Sequence, residues 1–309
     1  MPSVFEKLLA RGPVVTDGAW GTQLQARGLP LGEFPDAWNL SHPDQVFEVA
    51  RAYVDAGSQI ILTNTFGSNR LRLASDTFRT HPLPVAQDRL KSLIIALNRS
   101  GVEISRSAAA GRSLVFASIG PTGRLLLDEG VTPEGIRASF DEQVDALANA
   151  GADGLVVETM SDLAEAKLAV ASASSTGLPV VACMVFDAGA NKDRTMMGDT
   201  VERVAETLRA AGADVIGANC GLGIAGFGAI CQRLHAASDA PVWIKPNAGL
   251  PQMLDGRVVY TTTPDEFTGF LPALVKCGAG FVGGCCGTSP DFVRAIHKTI
   301  QPLARPTKA

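Results

Sequence analysis

GLVVETMSDLAEAKLAVASASSTGLPVVACMVF, residues 154–186, reads as one complete unit of structure. Gly154–Thr159 and Pro179–Phe186 are short, almost wholly apolar runs rich in valine, and between them Asp162–Ser174 places alanine and leucine at three- and four-residue spacing. A strand that is apolar on both faces has to be covered on both, which is the condition of a parallel strand and not of a half-solvated antiparallel one. The segment therefore predicts strand, helix, parallel strand.

The same pattern repeats in both directions. Further apolar runs stand at Pro13–Asp17, Gln59–Asn64, Leu114–Ile119, Asp214–Asn219, Pro241–Lys245 and Gly280–Gly284, which makes eight in all. Helical periodicity marks Pro133–Ala150, Val201–Ala211 and Pro264–Cys277, and several such stretches end in a Gly-Ala pair: Gly151-Ala152, Gly212-Ala213 and Gly278-Ala279. Glycine there suits the left-handed cap that turns the chain back toward the next strand. Eight successive β-α units predict an α/β fold, a TIM (β/α)8 barrel forming a single domain over residues 1–309, ahead of a doubly wound open sheet. Residues 1–12 are expected to form an N-terminal helix and residues 301–309 a frayed tail. Two long connections, Ala19–Ser41 and Asp187–Thr200, follow strands and are expected to act as lids or specificity loops.

With 46% hydrophobic and 19% charged residues the chain can bury a large core without disulfides. Its net charge of −4, with no run of Lys or Arg, argues against nucleic acid or an anionic membrane as partner and points to small molecules. The start, MPSVFEKLLARG, lacks the apolar stretch of a secretory signal, and nothing later approaches a span of about 20 apolar residues, so a cytoplasmic location is the expectation. In that reducing compartment six cysteines read as free thiols or metal ligands.

Barrel chemistry collects where strands run out into their following loops. Those positions hold Asp17, Asn64, Ser118, Glu158, Asp187, Asn219 with Cys220, Asn247, and Cys285 with Cys286. The strands preceding Cys220 and Cys285-Cys286 are separated by only one other, so the three thiols can converge across the rim. Adjacent residues of an extended strand point to opposite faces, and Gly283, Gly284 and Gly287 are expected to release the backbone so that both sulfurs aim inward. Three protein ligands and one open position describe a reactive zinc site, whereas structural zinc has four. His42, His81, His235 and His297 show no spacing that would supply a fourth, and Cys183, Cys231 and Cys277 fall inside a strand or helices and read as core thiols. Zinc with three thiolates carries a net negative charge, acidifies water poorly, and suits the binding of a substrate thiol as thiolate. The chemistry expected is alkyl transfer to sulfur. A vicinal Cys285-Cys286 disulfide, a non-catalytic zinc- or thiol-binding barrel, and a metal-dependent hydrolase are the competing readings, the last disfavoured by the absence of His and Asp ligands.

The ordered segments DGAWGTQL from Asp17, LTNTFGSNRLRL from Leu62, SIGPTG from Ser118, VETMSDLAEA from Val157, GANCGLG from Gly217, PNAGLP from Pro246 and GGCCGTSP from Gly283 cover nearly the whole chain. Together they strongly resemble the homocysteine S-methyltransferases, a family that includes betaine-homocysteine methyltransferase, S-methylmethionine-dependent enzymes and the homocysteine module of cobalamin-dependent methionine synthase. The resemblance implies a TIM barrel whose Zn2+ is held by Cys220, Cys285 and Cys286. It further implies that Asp17 and Glu158 receive the amino group of homocysteine and that backbone amides near Gly18 and Ala19 take its carboxylate, with methionine as product.

The donor is less specified. No Asp-x-His-x-x-Gly corrinoid signature occurs in the sequence, so a free small cation is the simplest expectation. PDAWNLSHP around Trp38, FDAGANKDRTMMG from Phe186 and TNTFGSNRLRL look like bacterial betaine-homocysteine methyltransferases, which makes betaine the expected donor. Trp20, Trp38, Phe66, Phe186 and Tyr260 are candidates to line its pocket through aromatic faces. Gly67 stands where animal enzymes carry tyrosine, and PNAGLP resembles the methionine synthase module. The alternatives are therefore S-methylmethionine, or a methyl-corrinoid or methyltetrahydrofolate system on separate chains.

Overall fold

In the computed structural model the eight predicted runs pair side by side, all parallel. The structure describes residues 3–74, 89–254 and 257–303; His81 and residues 304–309 of the expected tail lie outside them. The strands are β1 (Val14–Val15), β2 (Ile60–Ile61), β3 (Leu114–Ile119), β4 (Gly154–Met160), β5 (Val180–Met184), β6 (Val215–Gly223), β7 (Val242–Asn247), β8 (Gln252–Leu254), β9 (Arg257–Val259) and β10 (Ala279–Val282). Sheet order is β1-β10-β7-β6-β5-β4-β3-β2, and a parallel bridge from Thr16 to Ile60 brings the ends together. Across that seam the Gln59 N–H donates to the Val15 carbonyl at 2.8 Å. The fold is a TIM barrel, as the strand count predicts.

Two apolar clusters explain why the runs do not alternate with polar residues. One takes a residue from each of the eight barrel strands (Val14, Ile60, Phe116, Val156, Val181, Val215, Trp243 and Phe281) together with Phe5. The other takes their neighbours, among them Val15, Ile61, Val115, Val157, Ala182, Ile216, Ile244 and Val282, and packs them against the helices. Both faces of every strand are thus dry. The N-terminal helix, Val4–Leu9, is shorter than expected and is started by a capping box between Ser3 and Glu6. Its Phe5 meets Phe116 and Phe281 edge-on at 5.9 and 5.6 Å, so the helix closes the barrel floor.

The Gly-Ala pairs behave as predicted: Gly151, Gly212 and Gly278 have φ of 86°, 109° and 105°. The helix expected over Pro264–Cys277 is two, Pro264–Thr268 and Leu271–Lys276. Pro272 has no N–H to donate and its ring excludes the preceding turn, so the first helix stops before it. The antiparallel hairpin β8-β9 was not foreseen; it occupies the loop after β7. Among the described residues no helix is long and apolar enough to cross a membrane.

Candidate active site

The three cysteines that the sequence singles out meet at the carboxyl-terminal end of the barrel. The Sγ atoms of Cys220, Cys285 and Cys286 all lie within 4.8 Å of one another, and each residue is half-buried. Cys220 reaches this point through an unusual backbone: its φ is 60°, followed by Gly221 at 65°, so β6 leaves the extended conformation in mid-strand. A left-handed residue other than glycine is uncommon and concentrates at functional sites. The expected role of the glycines needs correcting accordingly. Gly287 is left-handed at φ 81°, but Gly283 and Gly284 are not. Their task is close approach: a Cβ on Gly283 would lie 2.1 Å from Thr16 Oγ1, and one on Gly284 would lie 2.4 Å from Thr288. The Cys285-Cys286 turn is tied down by the Cys285 N–H to the Pro246 carbonyl at 2.7 Å and by the Ala248 N–H to the Cys286 carbonyl at 2.9 Å.

This donor set fits zinc. A tetrahedral ion with bonds of about 2.3 Å separates its sulfurs by about 3.8 Å, within the observed spread. Hydrogen bonds from Cys285 and Cys286 pull the Cys220 thiol far below the ordinary thiol range, and the resulting thiolate pushes both partners up. A dication is what allows all three to be thiolates at once.

Beside the thiols stand three buried charged groups. Glu158, at the end of β4, accepts the Ser118 hydroxyl on Oε1 at 2.6 Å, and Asn219 Nδ2 lies 3.5 Å from Oε2. Burial raises its carboxyl above the ordinary value of 4.5, opposed by Lys245 and Ser118. Asp17, wholly buried, accepts Lys245 Nζ on Oδ1 at 2.5 Å, and on Oδ2 the Leu62 N–H at 2.7 Å and Trp20 Nε1 at 2.8 Å. Burial alone would lower the Lys245 ammonium, but Asp17 and Glu158 outweigh it and raise it above 10.5. Asn219, next to Cys220, grips Thr159 with both ends of its amide, Thr159 N–H to Oδ1 at 2.8 Å and Nδ2 to Thr159 Oγ1 at 2.7 Å. Thr159 is itself left-handed, with φ of 61°.

Glu158 and Lys245 open onto a cavity of about 480 Å3 whose wall also includes the three cysteines. The Ala19–Ser41 connection forms much of the remainder through Ala19, Trp20, Phe34 and Asp36, as its length suggests; Asp187–Thr200 contributes nothing to the wall. That second loop is folded back on itself by bridges from Arg194 to Ala188 and Thr200. Of the aromatic candidates, Trp20, Phe66 and Tyr260 line the cavity. Phe186 and Trp38 do not: both are core residues, and Trp38 stacks on His42 at 4.4 Å. Asn64 lines the cavity, but its Nδ2 is given to the Pro35 carbonyl at 2.8 Å and to Asn39 at 2.9 Å. Asn247 is buried beside Cys220, which its side chain helps to ionise. The Ala19 N–H is given to the Thr288 carbonyl and hydroxyl, both at 3.2 Å, while Gly18 lines the cavity and has no room for a side chain, since a Cβ would lie 2.8 Å from the Tyr53 hydroxyl. Lys245 escaped the sequence reading, although a lysine closing the apolar run PVWIK is itself a signal. A charge at the end of a buried strand needs a partner there.

Comparison with known proteins agrees with this geometry. The family model of homocysteine S-methyltransferase matches residues 14–300. Methionine synthase of Mycobacterium tuberculosis (strain ATCC 25618 / H37Rv) is 29% identical over 320 residues, covering 97% of this chain and 26% of that protein. Methionine synthase of Mycobacterium leprae is 29% identical as well, over 94% of this chain and 24% of its own. The chain thus spans about a quarter of the length of these curated relatives. Among solved structures, the metallated form of the homocysteine methyltransferase MmuM from Escherichia coli superposes with a TM-score of 0.75 at 24% identity, covering 93% of this chain and 96% of that one. Its oxidized form gives 0.76 at 23%, covering 96% and 99%, a likeness of fold. With a family model matched from β1 to the end of the last long helix, the chain belongs to the homocysteine S-methyltransferase family.

Proposed function

We propose that this protein methylates the thiol of L-homocysteine to form L-methionine, with a zinc ion held by Cys220, Cys285 and Cys286. The observation that carries the reading is the meeting, on one cavity wall, of three thiols and the carboxylate of Glu158. An amino acid with a terminal thiol has complementary ends for that wall. Zinc supplies the means to hold a substrate sulfur as a nucleophilic thiolate. The chain's own groups do the rest. Glu158, oriented by Ser118, forms with Asp17 and Lys245 the charged end that takes the substrate's amino group. The backbone at Gly18, on the same cavity wall, is the part of this reading that receives the substrate's carboxylate. Asn219 keeps Thr159 and, through its own position in the chain, Cys220 in place.

For the donor we propose betaine. Trp20, Phe66 and Tyr260 present aromatic faces to the cavity, the surface that attracts a quaternary ammonium. Arg72, 5.9 Å from the centre of the Phe66 ring, lies on the same wall. A second reading, delivery of the methyl group by a separate corrinoid protein, is favoured by apolar side chains exposed on the loops around the mouth: Leu31 64%, Leu127 81%, Leu250 61% and Met253 69%. Such a surface suits a protein partner. Incubating zinc-loaded protein with homocysteine and betaine, S-methylmethionine or a methyl-corrinoid protein in turn should yield methionine from betaine. No methionine from betaine rejects that donor. Cobalt-substituted protein should change its visible spectrum on adding homocysteine, and an unchanged spectrum would leave only a non-catalytic metal-binding barrel.

A further inference from the structure

Among the described residues the cavity wall carries a second acid besides Glu158: Asp36, 2% exposed, on the first long loop. It stands beside the aromatic wall, since its Oδ2 accepts the N–H of Gly67, the residue after Phe66, at 2.7 Å and the Ser68 hydroxyl at 2.7 Å. Both hydrogen bonds that Asp36 accepts from other described residues fall on that oxygen. Oδ1 is left without one, yet it is not among the sealed polar atoms that lack a partner, so it keeps some surface, and Asp36 has its surface at the cavity. A latch to Gly67 and Ser68 needs an acceptor and not a charge; an asparagine would serve without the cost of burying an anion. That cost is visible: burial raises the carboxyl to about 6, against the pull of Ser68, Gly67 and Arg72. At neutral pH the carboxylate form still prevails, so a cation entering the cavity meets an anion whose burial it helps to offset.

We propose that Asp36 is a specificity-determining residue whose Oδ1 faces the cationic centre of the methyl donor and selects a quaternary ammonium over a neutral group of the same shape. This rests on the betaine reading above and adds a charge to its aromatic wall. The reaction fixes how the effect divides. The substrate thiolate forms the S–CH3 bond, the C–N bond breaks, and its electron pair stays on nitrogen, which leaves as a neutral amine. The positive charge is therefore whole in the bound donor and partly lost in the transition state. A carboxylate beside it favours binding more than turnover.

Steady-state kinetics of the zinc-loaded protein test this, giving KM and kcat for betaine and the inhibition constant of 3,3-dimethylbutyrate, which puts carbon in place of nitrogen and keeps the shape and the carboxylate. Wild type should favour betaine, by KM against that constant, by about 10-fold or more, the range of a close charge pair. Asp36→Asn keeps an oxygen for Gly67 and Ser68 but loses the charge. It should raise the KM of betaine by about 10-fold or more, move kcat less, and leave inhibition by 3,3-dimethylbutyrate as it was. Ser68→Ala cuts one arm of the latch and keeps the charge, so the discrimination should survive it. Discrimination kept in Asp36→Asn, or lost in Ser68→Ala, overturns the proposal. So does equal weakening of both ligands in Asp36→Asn, the mark of a latch alone. If wild type makes no methionine from betaine, the donor reading itself falls and takes the proposal with it.

Discussion

Replacing Asn219 by alanine tests whether the strained backbone beside the thiols is held by one side chain. Asn219 is 1% exposed and makes two short hydrogen bonds to Thr159, at 2.8 and 2.7 Å. Removing its carbonyl leaves the Thr159 N–H without its acceptor, at about 1–3 kcal/mol, and removing its amide deletes a second bond of about 1 kcal/mol. Relaxation of Thr159 out of the left-handed region returns about 1 kcal/mol of that. The net loss is about 2 kcal/mol, which for a chain of this size lowers the melting temperature by about 4 °C. Cys220 follows Asn219 directly and is also left-handed, so its sulfur loses its fixed aim toward Cys285 and Cys286. Zinc affinity should fall by roughly 10- to 100-fold, as for other residues that orient ligands. Thermal unfolding of the metal-free protein and zinc competition against a chromophoric chelator measure the two effects separately. Wild-type values in both would refute the argument. A lowered melting temperature with unchanged zinc affinity would detach Asn219 from the metal site.

Cys220→Ala, Cys285→Ala and Cys286→Ala should each strip zinc and end methionine formation while the circular dichroism of the barrel persists; full zinc occupancy in any of them, by metal analysis, contradicts the assignment of that ligand. The preference for homocysteine over 4-mercaptobutyrate, its analogue without the amino group, should be greatest on the alkaline side of the Glu158 titration. It should decline on acidification through a value above 4.5, because burial raises the folded-state carboxyl; Glu158→Gln should show no such decline. Gly283→Ala places a Cβ 2.1 Å from Thr16 Oγ1 and 2.5 Å from the Asp17 carbonyl and should cost about 1–3 kcal/mol in chemical denaturation. Gly228→Ala, in the helix Phe227–Ala237 with nothing within 4 Å, should instead stabilise by about 0.5 kcal/mol, and equal losses at both positions would show that the close approach at Gly283 is immaterial.

How far the site could be read in advance varies residue by residue. The converging thiols were legible because three cysteines stand where strands run out, with Gly221 after Cys220 and Gly284 and Gly287 about Cys285-Cys286, a local signature. The manner of their convergence was not: the backbone turn falls on Cys220 itself, and Gly283 and Gly284 are small because β1 and Thr288 press against them. Trp38 looked like a rim aromatic from its place in a long loop, yet the loop folds inward there and buries it against His42.

The chain's own order of residues determined the barrel, the strand count and the cysteine positions, because apolar runs, helical periodicity and glycine caps act over a few neighbours. Only the closed tertiary structure decided which charges meet. Asp17 and Lys245 are 228 residues apart and pair across the barrel wall. Likewise β8-β9 forms over the mouth from a segment with little apolar pattern of its own, supplying Val258 and Tyr260 to the cavity. Such pairings depend on barrel closure, which brings distant strand ends together and excludes water from between them, and no local pattern encodes that.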